Sequence, residues 1–165
     1  MENLPEKLST ERLSLEPLTA EWLDELLAEN RGNVARYSVR FADREDAHCW
    51  LTECRERQER RERLGMVVLK AEKREFLGVV SIQNINVDPQ LGVWIREDAQ
   101  GSGYGRESLQ CLIDWYKNVY GQAEKIKYLA EKGNVASIKL ARKLGMKRQG
   151  RKINPEGVVF EEFQL

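Results

Sequence analysis

Apolar residues recur with two different spacings along this chain, and the switches between them predict the order of its elements. Strict alternation over residues 12–16 predicts a half-buried strand. Thr19 and Asp43 each precede a segment with apolar residues three and four apart, so we expect two helices with these residues as N-caps. Gly32 is expected to end the first helix or to lie just beyond it, and residues 36–41 to form a loop or a short irregular helix.

From residue 66 onward, the pattern becomes that of strands interrupted by turns. Three apolar runs predict an antiparallel meander, at residues 66–69, 76–85 and 90–95. A helix over residues 107–120 and a strand over 126–130 follow, and the order strand–helix–strand predicts a parallel pairing across the helix. A last helix is expected from Asn134 to Gly145. Two closing strands complete the pattern, at residues 146–151 and 158–163.

Together these elements predict a single α/β domain over residues 1–165, with a mixed sheet of about seven strands and four helices. A chain of this length can bury a full hydrophobic core. The later half of the second helix, residues 55–63, is almost entirely charged. Acid-first pairs four residues apart, such as Glu59 with Arg63, favour a solvated helix face, and the alternating signs argue against a basic docking surface.

The charge balance and the cysteines narrow the classes of partner. The chain has 27 basic and 27 acidic residues, so it lacks the basic excess of a general nucleic-acid binder. Residues 1–9 contain no apolar run, which argues against a signal peptide, and no segment is apolar enough to span a bilayer. Three cysteines without a C-x-x-C pair predict reduced thiols. We therefore expect a cytoplasmic protein that binds no metal, no membrane and no nucleic acid.

The most informative segment joins the strand at 90–95 to the next helix and reads Gln100-Gly101-Ser102-Gly103-Tyr104-Gly105. Glycines let the backbone approach a ligand closely, and a helix start offers unpaired N–H groups to an anion. This combination predicts a site for a pyrophosphate-bearing cofactor. Arg106 breaks the dinucleotide fingerprint, and no Gly-Lys-Ser/Thr ending of a triphosphate loop follows. From the loop alone, a plain glycine-rich turn is the alternative.

With this loop in place, the element order resembles that of the GCN5-related N-acetyltransferase (GNAT) family. Gln100, Gly103 and Gly105 fill the family's acetyl-CoA motif, Gln/Arg-x-x-Gly-x-Gly/Ala. Further segments resemble the RimJ/RimL-like branch, namely Thr10-Glu11-Arg12-Leu13, Gly92-Val93-Trp94, Asn134-Val135-Ala136-Ser137 and Leu144-Gly145-Met146. The resemblance covers nearly the whole chain. It implies a sheet that splays between the fourth and fifth strands, with acetyl-CoA as cosubstrate and no metal.

The resemblance also implies roles for individual residues. Ile95 lies on the strand whose backbone would hydrogen-bond the pantetheine arm, Asn134 would contact the cofactor near its thiol, and Ser137 would lie close to the sulfur. Six residues would hold the CoA pyrophosphate on their backbone N–H groups, namely Gln100, Gly101, Ser102, Gly103, Tyr104 and Gly105. From the residues alone, Asn134 is equally a helix cap, Ser137 can bond its own backbone, and Tyr104 can pack on the sheet.

The implied reaction is direct attack of a primary amine, at a protein N-terminus or on a small molecule, on the acetyl thioester. Many members of the branch carry a glutamate where this chain has Gln90, which cannot accept a proton. Glu97, Glu131 or a water chain are the alternatives for the base. Ala141 stands where many family members have a tyrosine, so Ser137 is expected to act as the acid. A catalytically weak CoA-binding sensor or interaction module is the alternative function.

Four further residues have expected places. Glu107 suits the dipole of the first helical turn, and the lone histidine, His48, is expected to be a surface or a packing residue. Arg36 and Arg40 suggest an acidic or carboxylate-bearing acceptor. A homodimer through the closing strands is expected by analogy alone.

Overall fold

The computed structural model describes residues 4–165, so the first three residues of the segment considered above for a signal peptide lie outside it. Within that range the chain forms eight strands, β1 Leu8–Ser9, β2 Leu13–Pro17, β3 Arg63–Lys70, β4 Glu75–Gln83, β5 Gln90–Ile95, β6 Lys127–Glu131, β7 Lys147–Ile153 and β8 Val159–Gln164. It also forms five α-helices, α1 Leu23–Glu29, α2 Gly32–Tyr37, α3 Arg44–Glu59, α4 Tyr104–Tyr120 and α5 Val135–Lys143.

These strands join one sheet in the order β1-β2-β3-β4-β5-β6-β8-β7. Neighbouring strands are antiparallel except β5 and β6, which run parallel on either side of the α4 crossover. The predicted mixed α/β sheet, its meander and its parallel pair are therefore confirmed. The sheet has eight strands rather than about seven because Leu8 and Ser9, too short a segment to show a period, pair with Leu15 and Ser14 of β2.

Helices cover both faces of the sheet and bury two hydrophobic clusters. On one face, α4 contributes Leu109 and Leu112, both of which are fully buried. On the other face, Leu26 of α1 and Leu51 of α3 share a cluster with Val67 of β3. Apolar burial on both faces stabilises this layered arrangement. Among the described helices, none combines the length and the apolar character that a membrane span requires.

The sheet opens between β5 and β6. Within the described chain, only Gln90 with Lys127 and Leu91 with Tyr128 are paired across these two strands. By contrast, β4 and β5 are paired along the whole of β5. Towards their carboxyl ends β5 and β6 separate and leave a gap beside the loop that follows β5. The splay implied by the resemblance is therefore present, one strand later in the count because β1 precedes the first predicted strand.

One predicted helix boundary near the N-terminus is wrong. Thr19 makes no side-chain cap bond, because it precedes a 3-10 turn, Ala20–Trp22, rather than α1 itself. Gly32 lies just beyond α1, one of its two predicted positions, and with φ of +53° it begins α2, which accounts for the fifth helix. Asp43 caps α3 as predicted, since its side chain accepts a hydrogen bond from the Asp46 N–H at 2.9 Å.

The charged segment also ends differently from the prediction. α3 stops at Glu59, and Arg61 turns the chain in a left-handed conformation with φ of +58°. Arg63 is therefore the first residue of β3, and only 5% of it is exposed. The expected helical pair with Glu59 and the expected solvated position are both wrong for Arg63, because the turn ends the helix before it.

Candidate functional site

A cleft of about 1040 Å³ lies in the gap between β5 and β6. It extends to α3, where Trp50 and Cys54 form part of its lining. A space of this size accommodates a cofactor or a drug-sized ligand. Eight of the residues predicted for the site line the cleft, namely Ile95, Gln100, Gly101, Gly103, Tyr104, Gly105, Asn134 and Ser137. Ser102 lies in the same loop outside this lining. The fold thus brings the two halves of the predicted site to one cavity.

The loop after β5 presents a run of free backbone N–H groups. Gly101 and Gly103 have φ of +80° and +85°, a conformation that glycine adopts without strain. Gly103 is the N-cap of α4, so the helix begins at Tyr104, three residues before the predicted start. Within residues 4–165, the N–H groups of 101–106 donate to no acceptor, and the first α4 bond runs from the Glu107 N–H to the Gly103 carbonyl at 3.0 Å. Consecutive free N–H groups at a helix start attract anions.

Gln100 fixes this loop to the end of β5. Its side-chain Nε2 donates to the Ile95 carbonyl at 2.8 Å. Its own backbone N–H donates to the Glu97 carbonyl at 3.3 Å, so the run of free N–H groups starts at Gly101. The expected backbone role of Gln100 is corrected accordingly, because that N–H already has an acceptor and the side chain instead shapes the loop.

Arg12 and Glu107 form a polar clamp between the loop and the start of β2. Arg12 donates from Nη1 to the Ser102 carbonyl at 3.1 Å, and its Nη2 lies 2.6 Å from Glu107 Oε2. Its guanidinium also lies over the Tyr104 ring, 4.7 Å from the centroid. Burial alone would raise the pKa of Glu107, but hydrogen bonds from Thr10 and Arg12 outweigh it and hold the pKa below its ordinary value. Glu107 therefore does more than complement the helix dipole.

The start of α5 places a pair of hydroxyl groups beside the gap. Asn134 caps the helix, with Oδ1 accepting from the Ser137 N–H at 3.1 Å. Ser137 Oγ lies 2.6 Å from Tyr128 Oη, and either hydroxyl can donate. Tyr128 is buried, and this burial raises the pKa of its phenol. Sequence reasoning missed Tyr128; the available signal was its place in the strand that leads to Asn134.

Two carboxylates of the described chain line the cleft, Glu131 at the end of β6 and Glu53 on α3. Glu53 was not considered as a base from the sequence. Gln90 lines the cleft as well. Glu97, expected as a possible base, lies outside the lining and accepts a hydrogen bond from the Asn33 N–H at 2.7 Å at the start of α2. Its carboxylate therefore serves the fold of that helix.

Several other candidates lie away from the cleft. His48 is exposed on α3, where a surface histidine was expected, and Arg36 and Arg40 are exposed as well. Ala141 is fully buried in the core beneath α5. In the part of the chain that the structure describes, no group of three or more His, Cys, Asp or Glu residues could hold a metal ion.

A model of the GNAT acetyltransferase domain matches residues 12–147. The chain is a GNAT-family acetyltransferase. Enzymes of this family use acetyl-CoA, and this acetyltransferase transfers the acetyl group to an amine. Among curated proteins, no sequence matches it.

Solved structures share the fold of this acetyltransferase over almost their whole length. It is similar to a candidate ribosomal-protein-serine acetyltransferase from Vibrio cholerae, with 23% identity, 99% of both chains covered and a TM-score of 0.87. It is similar to the ribosomal-protein-S5-alanine acetyltransferase from Vibrio fischeri, with 16% identity, 96% of this chain and 95% of that chain covered, and a TM-score of 0.80. A RimL ribosomal L7/L12 α-N-protein acetyltransferase solved with coenzyme A is 19% identical, with 96% of both chains covered and a TM-score of 0.82. These likenesses establish the fold, in agreement with the RimJ/RimL-like motifs.

Proposed function

We propose that this enzyme acetylates the α-amino group of a protein N-terminus and holds the CoA pyrophosphate on the N–H groups of residues 101–106. The observation that carries the cofactor site is this run of N–H groups without an acceptor in the described chain. Their partial positive charge at the start of α4 suits a diphosphate. Gly101, Ser102, Gly103, Tyr104 and Gly105 belong to the run, and Gln100 supports it through its side chain.

The gap between β5 and β6 is the proposed place of the pantetheine arm. Within the described part of the chain, residues 92–95 have no partner strand on the β6 side, so their backbone groups can pair with the amides of the arm, as a strand edge pairs with an added peptide. The Ile95 N–H belongs to this segment, whereas its carbonyl is already bonded to Gln100. Acetyl-CoA bound there would supply the acetyl group as an activated thioester.

Ser137 is the proposed proton donor to the departing CoA thiolate. Asn134 orients the first turn of α5 by capping it, which fixes the place of the Ser137 hydroxyl. Tyr128 holds this hydroxyl at 2.6 Å, and because its burial keeps the phenol protonated, it can return a proton to Ser137. Water that enters the cleft, which Tyr128 lines, would then restore the phenol proton.

The shortage of bases in the cleft favours an acceptor amine that loses its proton easily. Deprotonation of a lysine-like amine at neutral pH costs about 4.6 kcal/mol, whereas a protein N-terminal amine costs only about 1 kcal/mol. Gln90 cannot accept a proton, and Glu97 is engaged with α2. Glu131 and Glu53, which line the cleft, are left as candidates to receive the proton directly or through water.

The names of the structural neighbours support the same acceptor. The Vibrio cholerae and Vibrio fischeri proteins are named for acetylation of ribosomal proteins, and the RimL protein for the α-N position. We therefore propose an N-terminal peptide rather than a lysine side chain as the acceptor. The expected cytoplasmic location and the expected homodimer stay predictions.

A second candidate is a protein that binds CoA but has lost most of its activity. The replacement of a glutamate by Gln90 and of a tyrosine by the buried Ala141 favours it. The Ser137–Tyr128 pair argues against this second candidate, because it provides a hydroxyl donor although Ala141 on α5 has none.

An acetyl-CoA assay that follows thiol release separates these possibilities. One peptide has a free N-terminus and no lysine, and a matched peptide is blocked at its N-terminus and contains one lysine. We expect acetylation of the first, with a rate that rises with pH towards a plateau above about pH 8, where the N-terminal amine is neutral. Faster acetylation of lysine, polyamines or amino sugars would reject the N-terminal acceptor. CoA binding without thiol release for any amine would favour the binding protein.

A further inference from the structure

Arg63 is a buried cation in the wall of the cleft. It is 5% exposed and lines the cavity from the first position of β3. Its guanidinium packs against Trp50 of α3, with Cζ 5.4 Å from the ring centroid. It also lies across Gly65, where an added Cβ would be only 3.1 Å from Nε. The indole ring and the bare glycine backbone together hold the guanidinium in one place.

Apart from the Trp50 ring, this cation has no partner among the residues that the structure describes. Its Nε is buried without a hydrogen-bond acceptor there, and no carboxylate within residues 4–165 forms an ion pair with it. Glu53 lines the same cleft and yet makes no such pair. Burial lowers the pKa of Arg63 below its ordinary value. A buried charge is tolerated when an opposite charge accompanies it, so the site calls for an anion.

The other arginines near the cleft are different. Arg57 also lines it, but its guanidinium donates to Asn84 Oδ1 at 3.2 Å and to Gln83 Oε1 at 3.5 Å. Arg36 and Arg40, which the sequence suggested as contacts for an acidic acceptor, are exposed and lie outside the lining. Among the described cations that line the cleft, Arg63 is therefore the one that is buried and has a nitrogen without an acceptor.

Arg63 lies on the α3 side of the sheet, at the closed end of the splay. It pairs in register with Gln83 of β4, which pairs with Gln90 of β5, so the three side chains share one row and one face. Since neighbouring strands are about 4.8 Å apart, Arg63 and Gln90 are about 10 Å apart along this row. Gln90 is one of the last residues of β5 still paired with β6.

We infer that Arg63 binds a carboxylate of the acceptor, and that this enzyme selects amines with an anionic group within about 10 Å of the nitrogen. This selectivity deepens the proposed function and rests on it. An extended peptide covers about 10 Å in three residues, so Asp or Glu at the second or third position of a protein N-terminus meets the requirement. A small ω-amino acid of similar length has the same chemistry.

The test compares acceptors that differ in charge alone. One pair of peptides carries Asp or Asn at the second position, a further pair carries them at the third, and an ω-amino acid is compared with its own amide. We expect kcat/KM to favour the acidic member of at least one pair by about 10- to 100-fold, as one charge-assisted hydrogen-bonded contact implies. The pair with the larger ratio identifies the source as a peptide or a small molecule. If the wild-type kcat/KM is about the same for the acidic and the neutral acceptor of every pair, the inference is overturned, whatever any variant does.

Variants then assign the preference to Arg63. Arg63→Met should reduce the ratio to near one, whereas Arg40→Gln, which removes an exposed arginine, should keep it. Loss of the ratio in Arg40→Gln with retention in Arg63→Met would overturn the assignment. Thermal melting checks that Arg63→Met folds; if it does not, Arg63→Lys replaces it, and we expect a reduced ratio because lysine lacks the bidentate fork.

Calorimetry of the same peptides with the CoA-loaded enzyme distinguishes failure of the inference from failure of the proposed function. If no peptide is acetylated but the acidic member still binds more tightly in an Arg63-dependent way, the N-terminal acceptor is rejected and the carboxylate site is supported. If peptides are acetylated and bound without regard to charge, the proposed function stands and the carboxylate site is rejected.

Discussion

The two ends of the cleft satisfy their charged groups in opposite ways. At the proposed cofactor end, Arg12 is bonded to Glu107 and to the Ser102 carbonyl, so what the loop offers a ligand is backbone N–H groups. At the proposed acceptor end, Arg63 offers a buried guanidinium whose Nε has no acceptor among the described residues. A ligand shared by a family can be held by main-chain atoms whose positions a few glycines secure. A ligand that differs between enzymes is recognised by a side chain, which one substitution can change.

The sharpest way to break this comparison is to disturb the main chain at the cofactor end. Gly103→Val forces a β-branched residue into a left-handed conformation and moves the N–H groups that follow. We expect CoA affinity, measured by calorimetry, to fall by about 100-fold or more, because two or more hydrogen bonds to a charged group are lost.

Gly121→Val is the matched control, since Gly121 also has a left-handed conformation, with φ of +68°, at the other end of α4. It should lose a similar amount of thermal stability and keep its CoA affinity. Equal CoA affinity in wild type and Gly103→Val would show that the loop does not hold the pyrophosphate.

A smaller effect, on kcat, is expected from removal of the Ser137 or Tyr128 hydroxyl group. Ser137→Ala and Tyr128→Phe should each lower kcat by about 10- to 100-fold with CoA affinity unchanged, because a thiol near pKa 8.5 leaves without full protonation. If the hydroxyls act as one relay, the double variant should be no slower than the slower single variant. Complete loss of turnover in a folded Ser137→Ala would mean that the serine has a larger part than proton donation.

The smallest effect concerns the Arg12–Glu107 clamp and depends on pH. The pKa of Glu107 is lowered in the folded state, so the carboxylate adds stability above its unfolded pKa of about 4.3, and this is lost as pH falls through the lowered value. Urea unfolding of wild type and Glu107→Gln should therefore show a gap in free energy of unfolding at pH ~6 that closes near pH ~3. A gap that is constant between these pH values would assign the loss to packing.

Local features of the chain were predictable because their causes lie within a few residues. Asp43 is a short polar side chain before an apolar period, and it caps α3 as expected. Gly103 and Gly105 mark a strand-to-helix loop, although the helix starts earlier than its apolar stripe because the glycine N-cap needs no apolar residue. Gly32 gave no signal of the helix that begins there, because a left-handed glycine can begin a helix as well as follow one.

Contacts between distant segments could not be predicted from spacing. Arg12 and Glu107 are separated by 95 positions and meet because β2 and the start of α4 converge in the folded chain. Tyr128 reaches Ser137 across the strand-to-helix connection, which an alternating strand pattern does not reveal. Arg63 follows a charged helix in sequence, and one left-handed turn converts an apparent surface residue into a buried one.

The splay described above divides the sheet into two parts that are joined by few backbone pairs. Strands β1 to β5 form one part and β6 to β8 the other, and the ladder between β5 and β6 that joins them is two residue pairs long. If the pantetheine amides occupy the opening as proposed, acetyl-CoA also links the two parts of the sheet through hydrogen bonds. The stiffness of the whole sheet would then rise and fall with every turnover, so the reactant would serve as a temporary part of the scaffold.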